Sequence, residues 1–167
     1  MKVFLLQRKR LTALACALAA AAMFYVVNYP AAVSAYATDR QLPIYCVQRD
    51  QKMLSISFDA AWGNEDTQQL IDILGKYNVK ATFFVVGSWV DKYPESVKAL
   101  HDAGHEVMNH SNDHAHMSQL SKEEIIADVE ACNDKIEAVT GVRPTLIRPP
   151  YGEYDNNVIT AIRSIGM

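Results

Sequence analysis

The chain has 167 residues, of which half are hydrophobic, and its formal net charge at pH 7 is -3. This length suffices for one domain with a sizeable core. The slightly acidic balance gives no electrostatic reason to expect a nucleic-acid partner, and three cysteines are too few for a disulfide framework.

The N-terminal segment differs in kind from the rest of the chain. A basic cluster, Arg8 to Arg10, precedes an uncharged apolar run over residues 11–29. Such a run is about long enough to cross a bilayer as a helix, and a preceding basic cluster stays in the cytoplasm. We therefore expect residues 1–10 to be cytoplasmic, residues 11–29 to form a membrane anchor and the rest to lie outside. A cleaved signal peptide is the alternative, because Ala35-Tyr36-Ala37 offers a cleavage site.

Residues 30–50 mix proline, alanine, serine and charged residues without periodicity, which predicts a linker before a domain at 51–167. Two of the cysteines, Cys46 and Cys132, follow the apolar segment. Cys132 lies on the apolar stripe of a predicted helix, where it is expected to be a buried thiol. A bridge between the two stays open as an alternative, although the pattern does not support it.

From Lys52 onward, short apolar runs alternate with amphipathic segments, which predicts four strands each followed by a helix. The strands are expected at 53–58, 81–86, 105–109 and 145–147. The helices are expected to begin at Asp66, Pro94, Ser121 and Asn156. Asp66 is expected to cap the first helix, with Gln69 three residues on, and Ser121 is expected to form a capping box with Glu124. Successive βα units indicate an α/β fold with parallel strands, either doubly wound or a barrel.

Polar residues of several kinds follow these predicted strands. Asp59 follows the first, His110 and His114 the third, and Arg148 and Tyr151 the fourth. The carboxyl ends of parallel strands share one rim of the sheet, where functional residues gather. The sequence therefore predicts one site containing a carboxylate, two imidazoles, a guanidinium and an aromatic ring.

The two histidines have the spacing of metal ligands. Ser111-Asn112-Asp113 between them indicates a loop, so a helical metalloprotease motif is not expected. Two imidazoles suit a divalent ion such as Zn²⁺, for which a catalytic site normally supplies three protein ligands and leaves one position for water. The third ligand has to come from elsewhere in the chain.

Several of these segments together resemble a known family. They are Ser57-Phe58-Asp59, Gly104-His105-Glu106, His110-Ser111-Asn112-Asp113-His114 and Arg148-Pro149-Pro150-Tyr151-Gly152, in this order. The combination resembles the polysaccharide deacetylases with a NodB homology domain, carbohydrate esterase family 4, over residues 53–167. The segment from Phe58 to Gly63 is most similar to members linked to spore-forming bacteria.

The resemblance implies part of a distorted (β/α) barrel and metal-dependent removal of N-acetyl groups from a peptidoglycan or chitin-like glycan outside the membrane. It implies that His110 and His114 bind a divalent metal, with Zn²⁺ expected, and that Asp59 is the general base. Arg148 would orient Asp59, and the N–H of Tyr151 would help to stabilise the oxyanion.

One departure concerns the metal site. The family pattern has two consecutive acids, and the second position here is Ala60. Three outcomes stay open: two histidines with additional water, Asp59 as a ligand with loss of the base, or substitution by Asp113 or His116. The alternative function is therefore a catalytically impaired relative with a glycan-binding or structural role in the cell or spore envelope.

A second departure is that the late family motifs have no counterpart, and the resemblance therefore leads us to expect a truncated chain. Other residues are open or structural. Trp62 and Trp89, on predicted rim loops, either stack on a sugar or lie buried under a loop. His105 is expected to pack structurally. A serine hydrolase is disfavoured because the chain contains no G-x-S-x-G segment.

Overall fold

The computed structural model describes the backbone of residues 2–28 and 40–167 and the side chains of residues 9–25 and 40–167. The chain divides into two compact units, Met1–Arg40 and Gln41–Met167. Of the predicted linker, residues 30–39 lie outside the described residues, and residues 40–50 contain neither helix nor strand.

The first unit contains one helix, α1 (Lys2–Asn28), which includes most of the predicted membrane segment. The side chains of residues 9–25 are exposed. Within the part of the chain that the structure describes, no helix has both the length and the apolar character that crossing a membrane would take.

The second unit is built on a parallel sheet of three strands, β1 (Ser57–Ala60), β2 (Thr82–Val85) and β3 (Glu106–Asn109), in that order. All four residues of the central strand β2 are buried, as its continuous apolar sequence predicts for a strand covered on both faces. The register aligns Asp59 with Phe84 and Phe84 with Met108. The parallel α/β architecture is therefore confirmed.

Two strand predictions need correction. β1 begins at Ser57, because Met53 and Leu54 are exposed and lie before the paired residues, and Asp59 lies within the strand rather than after it. The fourth predicted strand is a single parallel bridge between Asn109 and Ile147. The prolines that follow at 149 and 150 lack the N–H group that would extend the pairing.

The helices of this unit are α2 (Thr67–Lys76), α3 (Gly87–Lys92), α4 (Pro94–Asp102), α5 (Lys122–Thr140) and α6 (Asn156–Ser164). The capping box is confirmed: Glu124 N–H donates to Ser121 Oγ at 3.3 Å, and Ser121 N–H donates to Glu124 Oε2 at 2.8 Å. The cap at Asp66 is wrong, because Asp66 has nearly helical backbone angles and its side chain caps no N–H. The short helix α3 was not predicted.

The core consists of two clusters of buried apolar residues. One lies around β2, α3 and α4, and the other lies between α5 and α6. Cys132 is fully buried, and burial raises the pKa of its thiol to about 12. The alternative of a bridge to Cys46 is wrong, because Cys46 is exposed and both residues are free cysteines.

Candidate active site at the strand ends

The Arg148 side chain holds the predicted base, Asp59. Its Nη1 donates to Asp59 Oδ1 at 2.5 Å and its Nη2 donates to Ser57 Oγ at 2.6 Å. The guanidinium lies 4.3 Å from the centre of the Phe84 ring. Because the Asp59 and Arg148 side chains are 42% and 37% exposed, their ion pair adds little stability. Its main effect is to fix the orientation of the Asp59 carboxylate.

Arg148 also holds His110, through its backbone. The Arg148 carbonyl oxygen lies 2.6 Å from His110 Nδ1 and can only accept, so we assign the proton to Nδ1 and the free lone pair to Nε2. Burial lowers the pKa of His110, against the opposing effects of that carbonyl and of Asp59. The imidazole is thus neutral and oriented by a backbone carbonyl, as is usual for a metal-ligating histidine.

His114 completes the predicted imidazole pair. The centroids of the His110 and His114 rings are 5.2 Å apart, and the rings are inclined at 77°. The Trp62 ring lies 5.3 Å from His114, and the Tyr151 ring lies 4.7 Å from it. The structure therefore brings together all five residues that the sequence predicted for the site.

Tyr151 lies in a short 3-10 turn, Pro150–Gly152, with a left-handed φ of 59°. The hydrogen bonds of this turn are donated by Gly152 and Glu153, so the turn does not use the N–H of Tyr151. The Tyr151 ring is 60% exposed, and the His116 ring stacks on it at 4.1 Å.

Ala60 stands where the family pattern has a second acid, and the side chains that could replace that acid are held by other partners. His116 stacks on Tyr151 and contacts Glu153 Oε1 at 2.9 Å through Nδ1, while Asp113 accepts a hydrogen bond from the Asn112 side chain. Asp59 is held by Arg148. Among the described residues, no group of three His, Cys, Asp or Glu side chains could hold a metal ion. The two imidazoles fit a divalent metal in donor chemistry, but they form an incomplete ligand set.

A buried polar network holds the segment from His110 to His114, called the histidine loop below. Sequence reasoning missed this network. Asn109 Nδ2 donates to Val129 O and to Asn133 Oδ1, and Asn109 Oδ1 accepts from Ser111 N–H at 2.7 Å. Asp128 accepts from Ser111 Oγ at 3.1 Å and from Asn112 N–H at 3.0 Å. The sequence signal was an amide at each end of the network: Asn109 follows the apolar pair Val107-Met108 of β3, and Asn133 lies four residues after Val129 on the apolar stripe of α5.

The loop also carries backbone strain. Ser111 and His114 have φ values of 72° and 55°, which residues with a side chain adopt only when the surroundings impose them. The start of α3 docks on the same loop, because Gly87 N–H donates to Ser111 O and Ser88 N–H donates to Asn112 O. A Cβ at Gly87 would lie 3.0 Å from the backbone Cα of Asn112 and would overlap the Asn112 side chain, so this close approach favours glycine.

The two tryptophans, left open by the sequence, have different environments. Trp89 is buried, and its indole N–H donates to Gly63 O at 2.5 Å. Trp62 is 83% exposed beside His114. His105 is buried as expected: its Nδ1 accepts from Ala81 N–H at 3.3 Å, and its ring packs on Phe83.

Comparison with known families agrees with this geometry. The family model of the polysaccharide deacetylases matches residues 47–167. The chain belongs to the polysaccharide deacetylase family. Among curated relatives from Bacillus subtilis, the uncharacterized protein YlxY is 38% identical over 70% of this chain and 37% of its own length. The peptidoglycan-N-acetylmuramic acid deacetylase PdaC is 42% identical over 64% of this chain and 23% of its own length. The chain thus spans well under half the length of either relative.

Solved structures of this deacetylase family match the fold. BA3943 from Bacillus anthracis, described as a CE4 family pseudoenzyme, is 36% identical with a TM-score of 0.68, over 71% of this chain and 42% of that one. A BA3943 mutant with restored enzymatic activity is 38% identical with the same TM-score of 0.68, over 71% of this chain and 43% of that one. These neighbours, together with the parallel strands, confirm the prediction of part of a NodB-like (β/α) barrel.

Proposed function

We propose that this protein is a metal-dependent deacetylase that removes N-acetyl groups from an amino-sugar glycan of the peptidoglycan or chitin-like class. One observation carries the proposal: Arg148 links the Asp59 carboxylate, through its side chain, to the neutral His110 imidazole, through its carbonyl. Metal-assisted hydrolysis of an amide requires a general base and an imidazole nitrogen with a lone pair for the metal, and Arg148 holds both groups.

In this mechanism His110 and His114 would hold a divalent metal, Zn²⁺ in the first instance, with His110 presenting its Nε2. When bound, the metal supplies Lewis-acid polarisation and lowers the pKa of water. Asp59 accepts the proton of the attacking water, in the orientation that Arg148 imposes. The Tyr151 N–H, which the turn does not use, is available to the oxygen of the acetyl group as negative charge develops on it.

The direct test is acetate release from N-acetylglucosamine oligomers and from peptidoglycan, with the zinc content measured in the same preparation. We expect Asp59→Asn to lower acetate release by at least about a hundredfold, because general-base catalysis contributes about 10²–10⁴-fold. The variant should keep the zinc content of the parent. Equal acetate release by the parent and by Asp59→Asn would contradict the assignment of the base.

A second candidate function is a catalytically impaired relative that binds glycan or has a structural role in the cell or spore envelope. Ala60 favours it, because an alanine in place of the second acid leaves two protein ligands. The similarity to BA3943, described as a pseudoenzyme, supports it as well. A protein that binds N-acetylglucosamine oligomers but releases no acetate would favour this candidate over the enzyme.

We also propose that the protein acts outside the cytoplasmic membrane, where a peptidoglycan substrate is found. The support is the sequence order of a basic cluster followed by the apolar run 11–29, acting either as an anchor or as a cleaved signal. Protease accessibility in intact protoplasts tests the location, and the N-terminal sequence of the mature protein separates the anchor from the signal. Complete protection from protease would contradict the proposal.

A further inference from the structure

Trp62 has an exposed side chain and is followed by residues that hydrogen bonds hold in place. The side chain is 83% exposed. On the following residues, Gly63 O accepts from the buried Trp89 indole at 2.5 Å, and Asn64 Nδ2 donates to Ser96 Oγ at 3.0 Å. The Trp62 indole lies in water, so its burial does not stabilise the fold. Since the residues that follow it are nevertheless held in place, its position points to a ligand.

The surroundings of Trp62 indicate where that ligand lies. The Trp62 ring is 5.3 Å from the His114 ring, and the half-exposed Tyr151 ring is 4.7 Å from His114. Two exposed aromatic rings therefore flank the imidazole pair. The exposed carboxylates of Glu65 and Asp66 follow Trp62 in the sequence and would repel the phosphates of a nucleic acid.

We propose that Trp62 is a specificity-determining platform on which one pyranose ring of the glycan stacks, next to the sugar whose acetamido group lies at the histidines. The C–H face of a β-linked amino sugar is apolar and uncharged, and it matches the face of an indole in size. The inference rests on the glycan substrate class of the proposed function. It does not depend on catalysis, so it holds for an active enzyme and for an impaired relative.

Tryptophan fluorescence tests the platform directly, because the chain has only two tryptophans and the other, Trp89, is buried. The full chain is titrated with N-acetylglucosamine tetramer while emission and acrylamide quenching are followed. We expect the sugar to shift the emission of exposed Trp62 and to protect it from quenching. In Trp62→Phe the remaining emission comes from Trp89, and it should not respond to the sugar.

Affinity is measured in parallel by calorimetry. We expect Trp62→Ala to weaken tetramer binding about tenfold or more, and Trp62→Phe to keep most of the affinity, since stacking needs an aromatic face. Tyr77→Ala is the matched control, because Tyr77 is an exposed aromatic residue, 67% accessible, at the end of α2. It should bind like the parent. Unchanged emission of Trp89 in the variants confirms that they fold.

The outcomes separate this inference from the proposed function. Binding that Trp62→Ala loses and Tyr77→Ala keeps supports the platform, whether or not acetate is released. Parent-like affinity in Trp62→Ala overturns it, and so does the absence of any tetramer binding by the parent. Acetate release with the same KM in the parent and in Trp62→Ala overturns the platform while leaving the deacetylase assignment in place.

Discussion

At the residue scale, Ala60 is where the candidate site departs most from its family. Ala60 is partly buried at the end of β1 and packs against the core cluster around β2. Introducing a carboxylate there has opposite effects on stability and on metal binding. A single substitution at this position can therefore test whether a third protein ligand raises the affinity of the site for a metal.

We expect Ala60→Asp to raise the affinity for Zn²⁺ by about tenfold or more, because it supplies a third protein ligand. Without metal, the partly buried carboxylate should lower the free energy of unfolding by about 1–3 kcal/mol. Calorimetric zinc titration and thermal unfolding with and without zinc measure the two effects.

The matched control is Ala61→Asp, because Ala61 packs against the same core cluster and is also partly buried. It should be destabilised to a similar degree and gain no affinity for zinc. A gain of equal size in both variants would show that added negative charge, rather than a completed ligand set, is responsible.

His105 gives the protein a pH dependence away from the site. Burial, and to a smaller extent the charge of Lys80, lowers its pKa from the ordinary 6.5, and its Nδ1 must be unprotonated to accept from Ala81 N–H. The unfolded chain therefore binds a proton more readily than the folded one below about pH 6.5. The stability that the neutral ring contributes is present above that pH and is lost as the pH falls.

We expect the free energy of unfolding to decrease as the pH falls below about 6.5, and His105→Gln to show a shallower decrease. His110, whose pKa is lowered in the same direction, leaves a residual slope in the variant. Denaturant unfolding at several pH values measures it.

At the scale of elements, helix α5 anchors the histidine loop. Its residues Asp128, Val129 and Asn133 provide the acceptors for β3 and for the loop. The network is buried, so each unpaired group left by a substitution costs more than a surface hydrogen bond would.

We expect Asn109→Ala to lower the free energy of unfolding by about 2–4 kcal/mol, because it leaves Asn133 Oδ1 and Ser111 N–H unpaired in the interior. Asn157→Ala, which removes a single exposed hydrogen bond to Leu120 O, should cost about 1 kcal/mol or less. Chemical denaturation of both variants decides the point. Equal costs would mean that the loop does not depend on the network.

At the scale of the whole folded unit, the lead-in to the domain is fastened to the last helix. Gln41 N–H donates to Asn156 Oδ1 at 2.8 Å, and Arg163 donates to Gln41 Oε1 and to Leu42 O. Residues 41–45 are thus part of the compact unit, although the sequence placed the start of the domain at residue 51.

A chain beginning at residue 41 should therefore be more stable than one beginning at residue 51, by about 1–3 kcal/mol from these hydrogen bonds. Thermal unfolding of the two chains side by side measures the difference. Arg163→Ala in the longer chain is the control and should account for part of that difference. Identical unfolding curves would support the predicted boundary at residue 51.

The sequence was sufficient for the features that periodicity and spacing encode. The strands β2 and β3, the apolar stripe of α5, its cap at Ser121 and the convergence of Asp59, His110, His114, Arg148 and Tyr151 all follow from local patterns and from one rule about parallel strands. Features that depend on distant partners were missed. Asp66 has a capping residue type but no cap, and α3 is too short for a period to be recognised. The different environments of Trp62 and Trp89 depend on which one reaches Gly63.

Arg148 acts on the site through two different groups, one of which every amino acid possesses. Its carbonyl orients His110 whatever the side chain, whereas its guanidinium orients Asp59 only as arginine. A substitution such as Arg148→Met would therefore release the carboxylate and leave the imidazole in register. A single point mutation at this position can thus separate the orientation of the carboxylate from the orientation of the imidazole.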